Sequence, residues 1–233
     1  MTEILIQILL AAIPAIVAIT LHEAAHGYAA LALGDDTARL QGRLSLNPLR
    51  HIDRFGTLIL PGFLVLVQLL TIGHVAFLFG WAKPVPVSAW RFRNPRRGMA
   101  LVAAAGPAAN FVLAWLGALA MHGLRWLPDT AAVLAEGMLE TFILANLVLG
   151  LFNLLPIPPL DGGRIMVGIL PERWAAGWAR LERAGIVIVV LLVFLGPRLL
   201  AEMGVRFDPV GSALNTILPR AFSLVYRLAG LDV

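Results

Sequence analysis

His22-Glu23-Ala24-Ala25-His26 lies inside the apolar run ILIQILLAAIPAIVAITLHEAAHGYAALAL of residues 4–33. An apolar run of that length is expected to be a membrane helix. Two histidines four residues apart project from one helical face, so two ring nitrogens can reach one zinc ion. Glu23 then stands beside the metal, placed to take a proton from an attacking water. Ionisable groups at membrane depth cost several kcal/mol unless they are paired or bind a metal. The alternative is a helix end whose polar residues face water. At a rise of about 1.5 Å per residue, His22 is about 16 Å from Leu33, within the bilayer and towards the C-terminal side of the helix. Pro14 is a possible kink, and Gly34-Asp35-Asp36 ends the run.

A catalytic zinc site usually has three protein ligands and an open position. The chain contains no cysteine, so the third ligand must be another residue type. The best candidate is Asp161, in Asn153-Leu-Leu-Pro-Ile-Pro-Pro-Leu-Asp161-Gly-Gly-Arg164. This broken stretch follows a second apolar helix, and its prolines and glycines can turn a carboxylate back into the protein. Irregular backbone at membrane depth is tolerated only where it is buried in protein or lines a wet cavity.

Together these two motifs resemble the site-2 protease family of intramembrane zinc metalloproteases. Gly106-Pro-Ala-Ala-Asn110, Gly80-Trp-Ala-Lys-Pro-Val-Pro86 and Gly42-Arg-Leu-Ser-Leu-Asn-Pro48, with His51-Ile-Asp53 after it, are also similar to that family. The resemblance spans roughly residues 15–170. It implies one Zn2+ per chain held by His22, His26 and Asp161, with Glu23 as catalytic base and Asn153 holding substrate. Asn110 is a second substrate-contacting candidate, with a hydrogen bond to a neighbouring helix as its alternative role. Neither a PDZ domain nor a C-terminal nucleotide-binding domain is expected, which departs from larger members.

The 233 residues are 59 % hydrophobic and 14 % charged, with a mean hydropathy of +0.84. A soluble domain of that balance would expose too much apolar surface. The expected fold is therefore an all-α polytopic membrane protein of four to six transmembrane helices, in one unit over 1–233. Its core is about 4–170, and 171–233 adds C-terminal helices. The net charge of +4 is no nucleic-acid signal, because the basic residues sit in loops between apolar runs. No cleavable signal peptide is expected, since Glu3 replaces a basic leader and the metal motif occupies the apolar stretch.

Between the motifs, residues 37–46 partly alternate apolar with polar, as an edge strand or hairpin would, with an ordinary basic loop as the alternative. The resemblance implies a small membrane-associated β element here, whose edge could pair with an extended substrate. Residues 57–79 are long enough to span but are interrupted by Pro61, Gly62, Gln68, Gly73 and His74. They lie between two basic loops, which favours a re-entrant segment or hairpin. Further spans are expected at 99–121, 131–155 and 184–200, with 171–183 a basic loop. The tail, 201–233, is expected to be an interfacial helix, with a further crossing as the alternative. His51 and Asp53 are weaker candidates for a polar inlet. The tryptophans mostly fall near span ends, as an interfacial belt does.

Arginine placement orients the chain. With the N-terminus outside, Arg39, Arg43, Arg50, Arg54, Lys83, Arg91, Arg93, Arg96 and Arg97 face inward, as do Arg164, Arg173, Arg180 and Arg183. Both metal motifs then lie near the cytoplasmic side of what is expected to be a prokaryotic plasma membrane. The expected partners are the lipid bilayer and a membrane-anchored protein substrate. Two rival readings are an inactive membrane-protein-binding relative and a divalent-cation transporter. Intact His22, Glu23, His26 and Asp161 argue against the first. The scarcity of acidic residues in the middles of the other helices argues against the second.

Overall fold

The computed structural model describes residues 2–71, 73–74, 80–205 and 207–232, without the side chains of residues 2–9 and 11. Ten α-helices are described: α1 (Thr2–Ala32), α2 (Thr37–Leu40), α3 (Leu60–Thr71), α4 (Pro95–Met121), α5 (Asp129–Asn153), α6 (Asp161–Ile169), α7 (Glu172–Arg180), α8 (Gly185–Val190), α9 (Gly196–Glu202) and α10 (Pro209–Leu228). Helical stretches at Arg54–Thr71, Pro95–Trp126, Asp129–Asn153 and Glu172–Glu202 are long and apolar enough to cross a membrane. The apolar side chains of their outer faces, such as Leu101, Val112, Val133 and Val187, are exposed, as lipid-facing residues must be.

The centre is a bundle of α1, α4, α5 and α6. Within a membrane, close helix approach comes from small residues. A Cβ on Gly117 would meet Ile143 and Phe142 at 3.0 Å, and one on Gly150 would meet the Asn110 Cβ at 3.3 Å. These contacts run antiparallel along α4 and α5 and fix their register. Ala114, Ala118, Ile143 and Leu147 fill the interface with essentially no exposed surface. At the far end, α10 packs on the same cluster through Val225 and Ala229. There the Ala229 carbonyl is bonded by His122 at 2.8 Å. The expected interfacial tail is thus a helix seated on α4 and α5.

α1 runs unbroken through Pro14 and ends in a Schellman cap. Gly34 has φ +99°, with Gly34 N–H on Leu31 O and Asp35 N–H on Ala30 O. Beyond it, residues 35–56 and 80–94 form a polar collar around one end of the bundle. No strand occurs among the described residues, so the expected β element over 37–46 is absent. Its backbone is satisfied in other ways. Thr37–Leu40 makes one helical turn, Gly42 takes φ +62°, and Asn47 caps the turn at Pro48–His51. The Arg43 guanidinium bonds the carbonyls of Arg50, Lys83 and Pro84, tying the two halves of the collar together.

The segment between those halves leaves and returns at one clasp. Trp81 N–H donates to Gly56 O at 3.1 Å, and the Thr57 hydroxyl donates to Trp81 O at 2.8 Å. The outward leg, Arg54–Thr71, has 18 residues, about 27 Å at a helical rise of about 1.5 Å per residue. That is long enough to span, yet the clasp brings the chain back to its starting side, as a re-entrant segment or hairpin does. Residues 72 and 75–79, part of the stretch expected to be re-entrant, lie outside the described residues, as does Arg206 in the tail. Residues 172–180, expected as loop, form the short helix α7, with Ala175 buried and Trp174 exposed.

Candidate metal centre

His22 and His26 project together from α1 towards α4 and the start of α6. Their Nε2 atoms are 3.1 Å apart and lie 3.1 and 3.3 Å from one Asp161 oxygen, Oδ2. Asp161 is brought there by the irregular chain after α5. A Cβ on Gly162 would fall 2.2 Å from Leu155 O, and one on Gly163 would fall 2.6 Å from Pro158 N. Only glycine lets α6 begin so close to the end of α5. Gly106 does the same beneath the imidazoles, since a Cβ there would meet His26 at 2.5 Å and His22 at 2.6 Å.

Protons decide what this cluster can hold. His26 Nδ1 is 2.7 Å from the Val102 carbonyl, which can only accept, so that nitrogen carries the proton and Nε2 presents a lone pair. His22 Nδ1 is 2.6 Å from Asn110 Oδ1, which leaves its Nε2 bare as well. Asp161 Oδ2 is buried and has no hydrogen-bond donor. With both imidazoles neutral, as metal ligands are, three acceptors converge with no proton of their own, an arrangement that repels itself unless a cation sits among them. The fit to zinc is close. Bonds of about 2.0–2.1 Å in tetrahedral geometry place ligand atoms about 3.3 Å apart, against the observed 3.1, 3.1 and 3.3 Å.

The three groups open on a cavity of about 620 Å³, whose lining includes Glu23, Trp81, Val85, Phe152, Asn153 and Arg164. Glu23 Oε2 accepts from Val85 N–H at 3.1 Å, so the 80–88 segment runs past the carboxylate. That contact was invisible in sequence. Asn153 lines the same cavity, with its amide N–H on Leu149 O at 3.0 Å. Arg164 is paired with Glu182 at 2.7 Å.

Other expectations are corrected. Asn110 does not reach the cavity. It has no exposed surface, and it bonds His22 on one side and Asn146 on the other. Its hydrogen-bonding role is the one the structure supports, not contact with substrate. His51 and Asp53 do not line the cavity. His51 is buried with Nε2 on Ser45 O at 2.8 Å, and Asp53 caps the backbone N–H groups of Phe55 and Gly56. Polar collar residues here serve the collar's own backbone.

Known proteins bear on this cluster. A profile of Peptidase family M50 matches residues 116–196, a stretch that includes Asp161. Over 188 residues the chain is 42 % identical to the candidate zinc metalloprotease YwhC of Bacillus subtilis, covering 78 % of each chain. It is 33 % identical over 179 residues to the candidate zinc metalloprotease Rip2 of Mycolicibacterium smegmatis, covering 76 % of this chain and 64 % of that one. With the similarly named Rip3 of Mycobacterium tuberculosis it shares 39 % identity over 135 residues, 56 % of this chain and 30 % of the relative. No solved structure matches.

Proposed function

We propose, from the premise that this chain belongs to Peptidase family M50, the site-2 protease family, that it hydrolyses peptide bonds in or beside the transmembrane segments of membrane-anchored proteins. It is an integral membrane zinc metalloprotease. The observation that carries the proposal is the convergence of three proton-free acceptors, from His22, His26 and Asp161, at a cavity that also holds Glu23. Zinc held by these three would supply a Lewis acid that makes water nucleophilic near neutral pH and polarises a carbonyl.

The chain's own groups do the rest. Glu23 takes the proton of the attacking water and returns it to the leaving amine. The Val85 N–H on Oε2 holds that carboxylate turned towards the cavity. Asn153 binds the extended substrate by its side-chain amide, and apolar lining residues such as Leu149 and Phe152 receive its side chains. Substrate must unwind locally to expose a peptide bond, so Gly or Pro near the cleavage point favours hydrolysis. The positive-inside bias supports an external N-terminus and a site towards the cytoplasm of a prokaryotic plasma membrane. This suits regulated release of membrane-tethered proteins.

The test is zinc per chain in detergent-purified protein. Near-stoichiometric zinc in wild type and strong loss in Asp161→Ala is the expected result. Stoichiometric zinc unaffected by Asp161→Ala would remove Asp161 from the ligand set.

A further inference from the structure

We infer that Asn146, a residue of α5 that hydrogen-bonds to none of the three proposed metal ligands, positions His22 by fixing which of its ring nitrogens bears the proton. The inference rests on the metal-centre reading above and extends it to a second helix.

The reasoning starts at a carbonyl. Phe142 O can only accept, so the Asn146 group 2.9 Å from it is the amide NH2. Asn146 Oδ1 is thereby turned towards α4, where it accepts from Asn110 Nδ2 at 2.8 Å. Asn110 Oδ1 is then the atom facing His22, accepting Nδ1–H at 2.6 Å. Each amide has one orientation because its neighbour has one, and the sequence of choices ends at the imidazole. Both asparagines are wholly buried. Gly150 leaves the room for Asn110, whose Cβ would lie 3.3 Å from a Cβ at 150.

His26 needs no such device, because the Val102 carbonyl is an acceptor that cannot turn over. His22 faces an amide, which can. Without an acceptor at 146, the Asn110 NH2 keeps only a long contact to the Ala18 carbonyl, at 3.5 Å against 2.8 Å to Asn146, and can turn to His22 instead. Nδ1 must then accept, the proton moves to Nε2, and the lone pair that would face the metal is lost. Groups that orient metal ligands in this way typically alter affinity by about 10–100-fold.

The test is a double-mutant cycle on the full-length protein in detergent, read as zinc affinity by competition with a chelator. Asn146→Leu is expected to weaken zinc binding by about 10–100-fold. Asn110→Leu removes the amide through which Asn146 acts and should itself weaken zinc binding by about 10–100-fold. In that background, adding Asn146→Leu should change affinity by less than about threefold, since independent effects would simply repeat. Equal losses in both backgrounds, or no loss from Asn146→Leu alone, would overturn the inference. If Asn146→Leu fails to fold, as judged by melting of the metal-free protein, Asn146→Ala is carried through the same cycle. Wild type that takes up no zinc would overturn the metal-centre reading as well. Wild-type uptake with equal losses in both backgrounds overturns only the role of Asn146.

Discussion

Asp35 in the collar and Asp161 at the candidate metal centre are both buried carboxylates, and their surroundings are opposite. Asp35 accepts from Ser88 N–H at 2.6 Å and from Thr37 N–H at 3.0 Å. It also accepts from the Thr37 hydroxyl, and the Arg91 guanidinium lies 3.8 Å away. Asp161 Oδ2 meets two bare imidazole nitrogens and no donor. A carboxylate whose lone pairs are filled by the protein holds chain to chain. One left unfilled in the interior is held out for a cation.

Removing either carboxylate should separate the two roles. The largest effect is expected from Asp161→Ala, with loss of stoichiometric zinc and of all hydrolysis while the apo protein still folds. Metal analysis with melting in detergent checks both halves. Next comes Glu23→Gln, which should leave zinc in place and slow cleavage of a membrane-anchored reporter by about 10²–10⁴-fold. Cleavage that survives would remove Glu23 as the base. Asp35→Asn should do the reverse, keeping zinc but costing about 1–3 kcal/mol of stability through donors left without an acceptor. Zinc loss comparable with that of Asp161→Ala would erase the distinction.

A smaller effect concerns pH. Burial alone would raise the Asp35 carboxyl, but Ser88 N–H, Thr37 and Arg91 together hold it below its usual 3.8. The folded value is therefore the lower one. Its stabilisation is complete above the usual value and is lost as pH falls through the folded value. Melting followed below about pH 4 should show an acid-side decline that is reduced in Asp35→Asn. The smallest effect is expected at Arg164–Glu182, an exposed pair 2.7 Å apart. Glu182→Gln should cost less than about 1 kcal/mol.

The same contrast explains what was legible beforehand. His22, Glu23 and His26 are set by helical spacing, a local property. Asp161 is marked by the prolines that break the chain before it and the two glycines that follow it. Their meeting was inferred, and the geometry brings them within bonding distance of one ion. Asn146 was not legible, because its partner lies 36 residues away and depends on the register of α4 against α5. The β element was expected from an alternating pattern, but alternation also arises in a polar loop. The helical turn at Thr37–Leu40, Arg43 N–H on Ala38 O, the Arg50 guanidinium on Gly42 O and His51 on Ser45 O satisfy that loop's backbone without a second strand.

The clasp at Gly56 and Trp81 has one more consequence. A Cβ on Gly56 would strike the Trp81 ring at 2.4 Å, and one on Gly80 would strike Gly56 O at 2.4 Å, so the junction closes tightly whatever lies beyond it. Everything between its ends is topologically a side branch of the main chain. Lengthening a loop adds only about 0.6 kcal/mol per doubling once its ends are joined. The branch is therefore a natural acceptor for grafted sequence. A reporter domain spliced into residues 72–79 would ride on the enzyme while Val85 keeps its place against Glu23.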